Sequence, residues 1–143
     1  MAVVEKSVLI ERTVQQMFDL VDRVEDYPQF LPWCGGTELL ERTEAKTAAR
    51  LHIDYHGLKA HFATENAKDA PRTMHIALKE GPFRRMDGGW RFTPLGETAC
   101  KIEFRLQYEF SNRILEKAVG PVFSHIANTF VDSFVKRAQQ IYG

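Results

Sequence analysis

The chain has 143 residues, with 19 lysines and arginines against 19 aspartates and glutamates. That length points to one domain spanning 1–143, and the balanced charge removes the electrostatic basis for a strong non-specific DNA or anionic-membrane binder, so no DNA partner is expected. The start, Met-Ala-Val-Val-Glu-Lys, lacks the pattern of a signal peptide and no apolar run approaches membrane-spanning length, which predicts a cytoplasmic protein.

In chain order, Val4, Val8 and Ile10 predict a first strand over about Val3 to Glu11, because apolar residues alternate there with polar ones. A helix follows. Thr13 with Gln16 three residues on forms a capping-box pattern, and Val14, Met17, Phe18, Val21 and Val24 repeat at helical spacing. Asp26-Tyr-Pro-Gln-Phe-Leu-Pro-Trp-Cys-Gly-Gly36 comes next. Pro28 and Pro32 fix φ and remove two backbone donors, so Tyr27, Phe30, Leu31 and Trp33 are held on a stiff turn or single helical turn, as a plug for the core or a gate over a ligand. Gly35 and Gly36 permit a sharp exit into a second strand near Thr37 to Arg42.

Period two then takes over. Ala49, Leu51, Ile53 and Tyr55 face one way, and Leu58, Ala60 and Phe62 return on the same face, so His56-Gly57 reads as a two-residue hairpin turn. Ala70-Pro71-Arg72 breaks the chain before Met74, Ile76 and Leu78 alternate, and Gly81-Pro82 makes the next turn. Gly88-Gly89 predicts a bulge or bend ahead of Trp90 and Phe92. The clearest strand places Cys100, Ile102, Phe104, Leu106, Tyr108 and Phe110 on one face, with charged and polar residues on the other. Asn112 can cap a final helix whose stripe is Leu115, Val119, Phe123, Ile126, Phe130, Phe134 and Ile141, and Pro121 predicts a kink near Gly120 or a restart. The order argues for an α+β fold in which a curved antiparallel sheet of about six to seven strands grips the C-terminal helix.

Such a wedge can be filled or hollow. Its walls are rich in rings: Tyr55, Phe62, Trp90, Phe92, Phe104 and Tyr108 from strands, and Phe123, Phe130 and Phe134 from the helix, with Phe30 and Trp33 on the turn above. Apolar ligands occupy sites of this make-up. Catalytic signals are weak by comparison. The hairpin register sets His52 opposite His61 and Asp54 opposite Lys59 on the solvent face, with His75 a candidate neighbour, but no spaced Cys/His motif supports a metal. Cys34 has no basic neighbour in sequence to activate it, and Cys34 and Cys100 read as reduced thiols. Nothing here resembles a nucleophile elbow, a phosphate loop or a pair of inward carboxylates.

Tyr27-Pro-Gln-Phe-Leu-Pro-Trp-Cys34, Gly81-Pro-Phe-Arg-Arg-Met-Asp-Gly-Gly-Trp-Arg-Phe-Thr-Pro-Leu95, and Cys100-Lys-Ile-Glu-Phe104 continuing to Tyr108-Glu-Phe-Ser-Asn112 resemble the signature segments of the coenzyme-Q-binding START-like family, whose bacterial members include the RatA ribosome-association branch. The resemblance implies the helix-grip fold of the polyketide-cyclase and START superfamily, a cavity between sheet and C-terminal helix, and a ubiquinone-type polyprenyl quinone as bound ligand; on the residues themselves, no covalent cofactor and no metal are expected. It divides the function. The expectation is non-enzymatic binding of a quinone or other apolar lipid in support of respiration, with transient contact at the periphery of the inner membrane. The alternatives are a toxin that blocks association of ribosomal subunits and an aromatic cyclase-like enzyme; for the toxin, the short basic pair Arg84-Arg85, otherwise a solvated face, is the candidate RNA contact.

Overall fold

In the computed structural model, which describes residues 1–143, β1 (Ala2–Ile10) leads into α1 (Val14–Asp22) and a 3₁₀ turn (Val24–Gln29). Six strands follow without a helix between them: β2 (Cys34–Arg42), β3 (Lys46–Tyr55), β4 (Leu58–Asp69), β5 (Thr73–Glu80), β6 (Phe83–Pro94) and β7 (Cys100–Phe110). α2 (Arg113–Tyr142) closes the chain. The sheet has seven strands in the order β1-β7-β6-β5-β4-β3-β2, and every neighbouring pair is antiparallel. α2 packs across its concave side against β7, β1 and β4, with α1 beside it, which is the helix-grip arrangement. No helix is long and apolar enough to cross a membrane.

Local chemistry accounts for the element ends. Thr13 Oγ1 accepts from the Gln16 amide at 3.1 Å while Gln16 Oε1 accepts from the Thr13 amide at 2.9 Å, a reciprocal cap worth about 1 kcal/mol. Asn112 Oδ1 accepts from the Leu115 amide at 2.9 Å at the head of α2. His56 (φ 51°) and Gly57 (φ 83°) both take left-handed backbone, as the two-residue turn that matches strand twist requires. The hairpin register is the expected one, with Tyr55 opposite Leu58, Asp54 opposite Lys59 and His52 opposite His61.

Four expectations change. β2 begins at Cys34 rather than Thr37, with Gly35 and Gly36 inside it at a break in register. A Cβ on Gly35 would lie 2.9 Å from the Asp54 Cβ, so the glycine serves close strand approach and not only a sharp exit. Gly88 and Gly89 carry no bulge, since they pair in unbroken register with Leu106 and Arg105, and the irregularity falls between Phe83 and Arg85. A Cβ on Gly88 would sit 2.1 Å from the Arg105 carbonyl oxygen, and one on Gly89 2.7 Å from that of Met74; the missing side chains let β7 and β5 close in on β6. α2 does not restart at Pro121. A buried row at Val119, Phe123, Ile126, Ala127, Val131, Phe134 and Ala138 anchors the helix on both sides of the proline, which forfeits one amide donor on an exposed face. Val131 replaces Ile141 in that row; Ile141 is half exposed near the C-terminus.

Candidate functional site

Under the aromatic turn, between sheet and α2, lies a cavity of about 60 Å³. Of its 17 lining residues 15 are hydrophobic, and none carries a carboxylate, amine, guanidinium or imidazole. Trp33, Phe62, Trp90, Phe104, Phe123 and Phe130 are on its wall, as are Tyr27, Met86 and Ile126. The rings lock one another edge-on or tilted: Phe62 meets Phe123 at 5.6 Å, Phe104 meets Phe130 at 5.7 Å and Trp90 meets Phe130 at 5.7 Å between centroids. Ligand pockets for drug-sized molecules run to roughly 300–1,000 Å³. A polyprenyl chain therefore needs this cavity to expand.

Five of the rings expected in the wall lie elsewhere. Phe134 is fully buried among Tyr27, Phe30, Trp90 and Phe130, with no open side. Phe92 packs edge-on against Phe18 of α1, and Tyr108 is wedged between Phe83 and Phe123, where burial pushes its phenol pKa up. Tyr55 lies at the hairpin end, stacked on His125 at 5.7 Å. Phe30 is on the outer side of the turn under the Arg137 guanidinium. Alternation assigns a face but not a depth, so rings on the correct face divide between wall and solid core. The polar wall residues Thr64 and Asn66 were missed; the signal was available, because the β4 row Leu58, Ala60, Phe62 continues to them at period two.

Polar contacts tether the aromatic turn in addition to its buried apolar side chains. The Tyr27 hydroxyl donates to the Val21 carbonyl, and complete burial drives its phenol pKa well above the ordinary range, keeping it protonated. Arg42 reaches Glu25 through two hydrogen bonds of 2.6 and 2.7 Å and donates to the Asp22 carbonyl at 2.8 Å. On the far side Arg137 donates to Gln29 at 2.9 Å. The Arg42 hydrogen bonds hold the Glu25 carboxyl at about 2. A depressed carboxyl contributes stability that is present above its ordinary value and lost as pH falls through its folded value. The melting temperature of the wild type should therefore exceed that of Glu25→Gln at pH 7, with the gap closing between about pH 4.5 and 2. Because Glu25 is well exposed, solvent screening keeps the pair below about 1 kcal/mol; thermal melts at a series of pH values read it, and a gap constant with pH would contradict the assignment.

The other candidate groups do not converge on the cavity. His52 and His61 face each other at 5.9 Å on the outer side of the sheet, His52 Nε2 lies 3.1 Å from Glu38, and no three metal-ligating side chains gather there. His75 is exposed on β5. Arg84 and Arg85 are exposed on β6, and both approach Glu109, at 3.5 and 3.9 Å, so one carboxylate offsets part of their charge. Cys34 and Cys100 are free, buried thiols whose pKa values burial raises, the reverse of what activates a thiol.

Along 140 residues the chain is 41% identical to the "Ribosome association toxin RatA" of Vibrio cholerae serotype O1, covering 98% of this chain and 97% of that one. It is 25% identical to the "Coenzyme Q-binding protein COQ10 homolog B, mitochondrial" of Xenopus laevis, covering 92% of this chain and 55% of that protein. The ZhuI aromatase/cyclase of Streptomyces sp. R1128 superposes with a TM-score of 0.80 at 17% identity, covering 99% and 96% of the two chains, a likeness of fold alone. The profile for polyketide cyclase / dehydrase and lipid transport proteins matches residues 10–135, which takes in the sheet, the aromatic turn and most of α2. The chain therefore belongs to the polyketide cyclase/dehydrase and lipid transport family.

Proposed function

We propose that the protein binds an apolar lipid of the polyprenyl quinone class in the cavity between sheet and α2, without covalent chemistry. The observation that carries this reading is the composition of the wall: hydrophobic side chains except for Thr64 and Asn66. Such a wall can bury an isoprenoid tail at about 25 cal/mol per Å². The name of the Xenopus relative supports coenzyme Q as the head group. The cavity is about 60 Å³, so loading requires a displacement, and the 3₁₀ turn with Trp33 is the lid that moves. Titration with quinones of increasing tail length, followed by fluorescence of Trp33 and Trp90 on the wall, tests it; protein that neither copurifies with an isoprenoid nor takes one up would overturn it.

A second reading, contact with a ribosomal subunit through the outer surface, is favoured by the name of the Vibrio relative. The two readings use different surfaces. Neutralising Arg84 and Arg85 together should weaken binding to ribosomal RNA and lower the slope of log K against log salt by up to about two phosphate contacts, while lipid uptake stays unchanged. Subunit profiles on sucrose gradients beside a quinone titration measure both. A cyclase-like activity finds no support in the wall, which holds no carboxylate or imidazole to act as acid or base.

A further inference from the structure

We infer that Asn66 makes this cavity selective for head groups that carry a hydroxyl donor, so that a quinol or alkylphenol is preferred to its carbonyl-only or ether counterpart. The inference rests on the lipid-binding reading above. Along β4 the inward row runs Phe62, Thr64, Asn66, Lys68, passing from apolar to charged as it nears α1. The charged end is self-satisfied. Lys68 Nζ lies 3.2 Å from Asp22 Oδ2, and the Thr47 hydroxyl donates to Asp22 Oδ1 at 2.7 Å. Asn66 is paired with Thr47 across the β3–β4 ladder, one step nearer the cavity, and the Thr47 hydroxyl and Lys68 Nζ both bond Asp22 instead of it.

Its carboxamide is only half served. The Asn66 amide nitrogen donates to the Met74 sulfur at 3.7 Å, a weak acceptor, while Oδ1 is sealed from solvent and has no hydrogen-bond partner from the protein. An unpaired buried acceptor on a cavity wall calls for a ligand donor. A hydroxyl meets that need and leaves the nitrogen contact to Met74 in place. A carbonyl cannot. Turning the amide over would offer its nitrogen to a carbonyl, but it would set Oδ1 against a thioether that has no proton to give, so one acceptor remains unpaired whichever way the group is turned. Sites built to pair a ligand hydroxyl discriminate against analogues lacking it because of that residual unpaired group.

The test uses a redox-inert pair, 4-decylphenol and its methyl ether, titrated against the full chain by quenching of Trp33 and Trp90, with decylubiquinol and decylubiquinone as a second pair. The wild type should bind the phenol about tenfold more tightly than the ether, the scale of one buried acceptor left unpaired. Asn66→Leu, with the same branched skeleton and no hydrogen-bonding atoms, should bind both without preference. Equal affinities in the wild type, or an undiminished preference in Asn66→Leu, would overturn the inference and leave the lipid-binding reading intact. If no compound of either pair binds, the lipid reading itself fails and the inference fails with it. The wild-type comparison decides the matter even where the variant melts too low to assay.

Discussion

Phe130→Asp should abolish lipid uptake while Phe134→Ala should mainly lower stability, although the two rings are 5.0 Å apart on the same helix. Phe130 lines the cavity and touches Tyr27, Trp33, Trp90 and Phe104 around it. A carboxylate there faces the volume that an isoprenoid must fill, and burying it without a partner is strongly unfavourable, so affinity should fall by at least about a hundredfold, roughly 2.7 kcal/mol. Phe134 is fully buried and has no free wall; its loss leaves a void costing about 3–5 kcal/mol. Denaturant unfolding beside quinone titration separates the two effects. Equal loss of binding in both variants, with the protein still folded, would show that the cavity does not define the binding site.

Gly88→Val is expected to prevent folding or to cost more than about 3 kcal/mol, a larger effect than most surface-strand substitutions produce. A Cβ at Gly88 would lie 2.1 Å from the Arg105 carbonyl oxygen and 2.8 Å from the Leu106 Cα. Both are backbone atoms of the paired strand, so no rotamer change relieves the contact. Gly36→Val provides the control, because a Cβ there meets nothing within 4 Å. Circular dichroism and urea unfolding of the two variants read the difference; a Gly88→Val protein as stable as the wild type would show that β6 and β7 separate without penalty.

Most elements were legible because their signals are local. The capping box at Thr13 and Gln16, the His56-Gly57 turn and the alternation from Cys100 to Phe110 each depend on residues within a few positions of one another, and each forms as read. The bulge expected at Gly88-Gly89 does not form, for the opposite reason. A glycine pair looks the same in sequence whether it relieves a bulge or admits a neighbouring backbone, and only the positions of Arg105 and Met74 distinguish the two. At Pro121 the restart does not occur, since residues buried on both sides hold the helix continuous past a local breaker.

The candidate site divides along that line. Which rings share the inner face was legible in the sequence, because side chains alternate at period two in strands and recur at 3.6 in helices, and the same alternation set His52 and His61 on the outer face. Tertiary structure decided which of those rings bound open space. Phe104 and Phe130 reach the cavity while Phe92 and Phe134 are sealed in the core, because depth is set by how α2 and the 3₁₀ turn lie across the sheet. It also decided that Asn66 keeps an unpaired oxygen, since that depends on Thr47 and Lys68 having both been drawn to Asp22, 25 and 46 residues away from them in the chain.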